Sequence, residues 1–260
     1  MIEKTQVRTL WLVAALAAVV TACGGARTAT APPGVAPDQF LYERGQMSLM
    51  EQNWLQARTY FQQVVDNYPQ SPRRPDAKLG LGDSYLGENS AESVVFAANE
   101  YREFLQFYPI HARADYAQYK LAMSHFQQMR APARDQTETR EALREFDIFF
   151  ERFPESALTP EVKQRWREAR DRLSEASFLV GQHYYRVEWY PGAIDRFREV
   201  LRDDPAYSGR DAVYYHLAES LYRTEKKPEA LPYYERLLAE FPMSEYREDS
   251  LERVQELKAQ

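Results

Sequence analysis

The stretch Ala57-Arg58-Thr59-Tyr60-Phe61-Gln62-Gln63-Val64-Val65-Asp66-Asn67-Tyr68-Pro69 sets an alanine, an aromatic residue four positions on, an apolar residue three further and a proline five after that. Steps of four and three put Ala57, Phe61 and Val64 on one face of a helix. Pro69 ends that helix, because a proline ring supplies no N–H and clashes with the preceding turn. The same spacing returns without gaps at Ala97, Tyr101, Phe104 and Pro109; at Ala142, Phe146, Phe149 and Pro154; at Ala193, Phe197, Val200 and Pro205; and at Ala230, Tyr234, Leu237 and Pro242. A pattern that returns at this period marks a chain of stacked supersecondary units, each too small to bury its apolar face alone.

A small residue stands upstream of each alanine: Gly45, Gly82, Ala122, Gly181 and Ala218, at separations of 12, 15, 20, 12 and 12. Small residues on two successive helices allow close approach. With Leu81-Gly82 and Tyr85 as its clearest first-helix signature, the pattern resembles the tetratricopeptide repeat, in which helix A carries the first small residue and helix B the alanine. The resemblance implies an all-α superhelix of five helical hairpins. The longer separations imply a three-residue loop insertion in repeat two, near Gly87 to Ser93, and an eight-residue one in repeat three, near Arg130 to Glu138. From proline to next small residue the distances are 13, 13, 27 and 13, so repeat four carries fourteen extra residues. Glu161 to Tyr185 contains no proline and is rich in helix formers, which predicts one elongated helix in the fourth repeat. Pro232, four residues after Pro228, predicts a kinked or late-starting helix B in repeat five.

Ahead of the repeats, Lys4 and Arg8 precede an apolar run from Leu10 to Val20, too short to span a bilayer, and Val20-Thr21-Ala22-Cys23 follows. This resembles a bacterial lipobox, so residues 1–22 are expected to be a cleaved signal and Cys23 to be lipidated. Gly24 to Pro37 has three prolines and three glycines and no aromatic residue, the chemistry of a tether. Residues 23–37 then join the membrane anchor to repeats 1–3 over 38–156 and repeats 4–5 over 157–260.

The remaining composition narrows the function. Cys23 is the one cysteine, which rules out an internal disulfide or a cysteine metal cluster. A net charge of -6 offers no general attraction to nucleic acid. His111, His125, His183 and His216 fall in no metal-binding spacing, and no nucleophile elbow or phosphate loop occurs, so neither enzyme chemistry, a metal nor a cofactor is expected. Trp54, Trp166 and Trp189 read as packing residues, while Trp11 belongs to the signal.

A hollow surface lined by helices A is the expected binding face. Mapping its positions gives Tyr42, Gln46, Leu49, Leu79, Asp83, Leu86, Tyr116, Tyr119 and Met123. The stretch from Arg134 to Arg196 further resembles the BamD family of outer-membrane assembly lipoproteins. The resemblance rests on Arg134-Asp135, Phe153-Pro154-Glu155-Ser156, Arg170-Asp171-Arg172-Leu173, Tyr184-Tyr185 and Ala193-Ile194-Asp195-Arg196-Phe197. It departs from that family at Val20, where leucine is common, and at Asp203-Asp204 before Pro205. What the resemblance implies is a non-enzymatic lipoprotein on the periplasmic face of the outer membrane. Its partners would be a BamA-like barrel subunit docked at Arg196, other assembly lipoproteins, and unfolded outer-membrane protein segments held by the N-terminal repeats. Another periplasmic tetratricopeptide lipoprotein, a pilotin or a Tol-Pal coordinator, is the alternative.

Overall fold

The computed structural model describes residues 31–259. The signal segment, Cys23 and the first half of the tether lie outside the described residues. The described chain is all-α: α1 Pro37–Met50, α2 Trp54–Asn67, α3 Arg74–Glu88, α4 Ala91–Phe107, α5 Ala114–Gln127, α6 Thr137–Arg152, α7 Thr159–Arg186, α8 Tyr190–Asp203, α9 Arg210–Arg223, α10 Lys227–Glu240 and α11 Arg247–Ala259. Each helix packs on the next, and α1 to α10 form consecutive hairpins, with helix A odd-numbered and helix B even-numbered.

The repeated residues are the core. Ala57, Ala97, Ala142, Ala193 and Ala230 have no exposed surface, nor do Phe61, Tyr101, Phe146, Phe197 and Tyr234 four positions on. The small residues of helix A make room for those rings. A Cβ added to Gly45 would lie 2.5 Å from the Phe61 ring, one on Gly82 2.6 Å from Tyr101, and one on Gly181 2.6 Å from Phe197. Phe61 is gripped from the other edge too, since a Cβ on Gly80 of the next helix A would lie 2.5 Å from it. One ring thus fixes three successive helices, and four contiguous apolar clusters pass the contact along the chain.

The turns alternate between two designs. Each helix B ends on a backbone bond to its apolar core residue, as Tyr68 N–H to Val64 O at 3.1 Å, and its proline follows. Between helices A and B, the left-handed residues Gln52, Asn89, Glu188 and Glu225 cap the first helix at φ of 58°, 55°, 60° and 57°. Repeats one, four and five add a six-to-one bond, such as Trp189 N–H to Tyr184 O at 2.9 Å. With no glycine at these positions, the sequence signals only the one at Asn89, since asparagine tolerates the left-handed region.

Three expectations need correction. The extra residues of repeat two do not form a loop: α3 runs to Glu88 and α4 starts at Ala91. They lengthen α4 because Ser90 caps it early, exchanging bonds of 2.9 and 3.0 Å with Ser93. In repeat three the insertion is a loop, 128–136, but Thr137 and Glu138 already belong to α6. Buried Gln136 organises that loop, donating to the carbonyls of Ala131 at 2.9 Å and Arg134 at 3.0 Å. Of the two alternatives for repeat five, the late start is excluded: helix α10 starts at Lys227 and continues through Pro232 to Glu240. Pro228 sits in its first turn, where an N–H has no helical partner anyway.

Helix α7, at 28 residues, has the predicted elongation. Its extra turns are held at Asp204, which stands where the other four repeats place Tyr68, Tyr108, Phe153 and Phe241 before the proline. Asp204 is buried and takes Arg167 and, at 2.5 Å, Ser174 of α7. The last hairpin is covered by α11. This helix buries only Ser250 and Val254, and polar contacts hold it: Arg253 to Glu219 at 2.9 Å, Tyr222 to Glu256, and the Tyr215 ring stacked at 4.6 Å on Tyr246 just before the helix.

Phe61→Ala is expected to cost about 3–5 kcal/mol in urea denaturation, against about 0.5 or less for exposed Leu55→Ala. Burial alone would push the Asp204 carboxyl up, but the Arg167 and Ser174 hydrogen bonds and the charges of Arg167 and Arg170 hold it below 3.8. Its contribution is therefore complete above about pH 5 and disappears as pH falls through the unfolded value and then the lower folded one. Asp204→Asn should lose about 1–3 kcal/mol at pH 7 and show a flatter stability profile below about pH 5 than the parent.

Candidate partner-binding site

Two surfaces emerge from this arrangement. The first runs over helices A of the first three repeats, where the sequence placed its groove residues. Tyr42 is half-buried, with its hydroxyl accepting from Gln46 at 3.2 Å and its ring 5.9 Å from Phe61. Leu49 packs half-buried against the first cluster, and Met123 does so against the third. Asp83 accepts from two tyrosines on one oxygen, Tyr101 at 2.7 Å and Tyr116 at 2.8 Å. Tyr119 donates to Glu161 of α7 at 2.6 Å, bridging two helices A.

Leu79 and Leu86 do not belong to this surface. They are buried, at 0% and 6% exposure, because α3 turns both into the core it shares with α4, and Tyr119, at 5%, is likewise buried in the third cluster. The sequence also passed over the cations that complete the face. Arg113 lies 4.5 Å over the Tyr116 ring and pairs with Asp76 at 3.3 Å, and Lys120 lies 5.4 Å from Tyr116 and 5.9 Å from Tyr119. The result is a strip in which rings, carboxylates and cations alternate from α1 to α7. Burial first, and Asp83 second, push the Tyr101 and Tyr116 hydroxyls up, and burial with Glu161 does the same to Tyr119. All three remain protonated donors.

The second surface is a cleft of about 700 Å³ between the 128–136 loop, α7 and α8. It sits where the two largest departures from the repeat meet, the long loop and the doubled helix. Arg134, Arg140, Arg186 and Arg196 line it together with Leu173, Val180 and Tyr184. Arg196 is half-exposed and pairs with Glu199 one turn on, at 2.7 Å. Trp189 adjoins the cleft, edge-on to Tyr184 at 4.7 Å, but it is 54% exposed and so only partly the packing residue expected. No helix among the described residues is long and apolar enough to cross a membrane.

The sequence profile of the YfiO family, described as an outer membrane lipoprotein, matches residues 35–229, from the last residues of the tether into the first turn of α10. The chain belongs to the YfiO family. Relatives include the outer membrane protein assembly factors BamD of Caulobacter vibrioides, 28% identical over 211 residues, and of Neisseria gonorrhoeae, 23% over 251. The first match covers 80% of this chain and 65% of the relative, just under two thirds of its length; the second covers 90% and 92%. Among solved structures, the TPR2AB domain of yeast Sti1 in complex with pHSP90 is similar at a TM-score of 0.48 and 9% identity, covering 79% of this chain and 78% of that one.

Asp83→Ala strands the fully buried Tyr101 hydroxyl and should cost about 1–3 kcal/mol by chemical denaturation. Pairing it with Tyr101→Phe should recover part of that loss, since the fully buried donor is then gone and only the half-buried Tyr116 hydroxyl is left to find another acceptor.

Proposed function

We propose that this chain is an assembly factor for outer-membrane proteins, a scaffold and not an enzyme, tethered by lipid on Cys23 to the periplasmic face of the outer membrane. Its C-terminal repeats, 157–260, dock a BamA-like barrel subunit at the cleft edge around Arg196 and adjoin other assembly lipoproteins. Its N-terminal repeats, 38–156, receive unfolded outer-membrane protein segments on the strip around Tyr42, Gln46, Leu49, Asp83, Tyr116 and Met123. Family membership over residues 35–229 carries this reading.

The geometry is suited to both tasks. Half-buried tyrosines with polar tips and a flexible methionine accommodate varied extended segments at low entropic cost. A guanidinium in a cleft wall reads a carboxylate through two parallel hydrogen bonds. Affinity purification of the lipidated chain from membranes in mild detergent should recover a BamA-like barrel subunit. Arg196→Glu should cut that recovery about tenfold or more at unchanged thermal stability. Recovery of a pilus or Tol-Pal component in its place, with barrel levels intact after depletion, would favour the other class of adaptor.

A further inference from the structure

The arginines are unevenly provided with partners. Among the described residues, Arg130, Arg134, Arg140 and Arg186 are the ones whose guanidinium makes no ion pair, hydrogen bond or ring contact. Three of them line the single cleft described above, and Arg130 opens the loop that forms its wall. This occurs in a chain whose net charge is -6. The one acidic residue in the lining, Asp135, is already engaged by the Thr137 N–H and hydroxyl at 3.3 and 3.0 Å. The cleft therefore holds positive charge that the fold itself does not use.

An apolar wall lies beside that charge. Leu173, Leu179, Val180 and Tyr184 line the cleft, Val180 with 41% of its surface exposed, and half-exposed Trp189 packs edge-on against Tyr184. We propose that the cleft docks an acidic segment of a partner protein that also carries an apolar or aromatic anchor. The arginines supply bidentate donors for its carboxylates, and the Val180–Tyr184 wall supplies the seat for its anchor. This rests on the docking assigned above to the C-terminal repeats, and extends it from Arg196 to Arg134, Arg140 and Arg186.

A protein segment is favoured over a lipid headgroup by position. The cleft opens among the connections from helix A to helix B, at 128–136 and 187–189. The chain enters α1 at Pro37, at the opposite end of the hairpins. A tether leading to lipid thus joins the rim away from these arginines.

The test uses the full mature chain, a fluorescent short peptide with four glutamates flanking Phe-Leu, its lysine counterpart, and vesicles of anionic phospholipid. The glutamate peptide should bind the parent and weaken by about tenfold or more in R134Q/R140Q/R186Q, and by a similar factor on raising salt from about 50 to about 300 mM. Val180→Glu should abolish binding independently, and circular dichroism should show both variants folded, their changes being on exposed positions. Equal binding by the triple variant, equal binding of the lysine peptide, or arginine-dependent binding of vesicles alone would overturn the proposal. A parallel membrane purification separates the two readings. Undiminished recovery of a barrel subunit by the triple variant sinks the cleft but leaves the docking, whereas no recovery by the parent sinks the docking and leaves the peptide titration to judge the cleft.

Discussion

An aromatic ring seated on a residue with almost no side chain is the contact on which the structure depends. Phe61, Tyr101 and Phe197 each press against a glycine of their own helix A so closely that an added methyl would sit inside van der Waals contact. The ring is large enough to reach past that helix, as Phe61 does to Gly80, so the same side chain joins the hairpin internally and joins it to its neighbour. Burial of such a ring is worth about 1.5–3 kcal/mol before packing is counted. Stability in a stack of this kind is close to a sum of units and their interfaces.

The candidate cleft arises where that regularity is relaxed. Repeat three gains a loop ordered by Gln136, and repeat four gains turns of α7 that no preceding helix B matches. Asp204 compensates for the missing aromatic before Pro205 by gripping Arg167 and Ser174, which fixes the extra turns in place. Between loop and rod a cleft is left with unpartnered arginines around it. The strip on helices A is the opposite case, since its tyrosines and carboxylates satisfy one another and present a surface already organised before any partner arrives.

The positions of Ala57, Phe61, Val64 and Pro69, with their four later copies, were legible because a helix face and its stop follow directly from spacing. The length of α7 was legible for the same reason, there being nothing in Glu161 to Tyr185 to end it. Helix α11 was not, because most of its apolar signal is Leu251, Val254 and Leu257 among charges, and its attachment depends on Arg253, Glu219 and Glu256 meeting in space. Leu79 and Leu86 were misplaced because a helix between two others has apolar positions on both sides, and sequence does not say which side faces a partner. Arg140 and Arg186 were missed since each, taken alone, looks like an ordinary solvated helix charge, and only the folded chain shows that they share a cleft and lack a counterion.

The ring-on-glycine contact is tested most directly by a double-mutant cycle of Gly181→Ala and Phe197→Ala, read by urea denaturation. With Phe197 present, the added methyl meets the ring and Gly181→Ala should destabilise. With Phe197→Ala the space is empty, and the same change should become stabilising by up to about 1 kcal/mol, the intrinsic helix preference of alanine over glycine. A coupling of about 1–3 kcal/mol between the two positions supports the account. Additive effects, with Gly181→Ala behaving alike in both backgrounds, would contradict it.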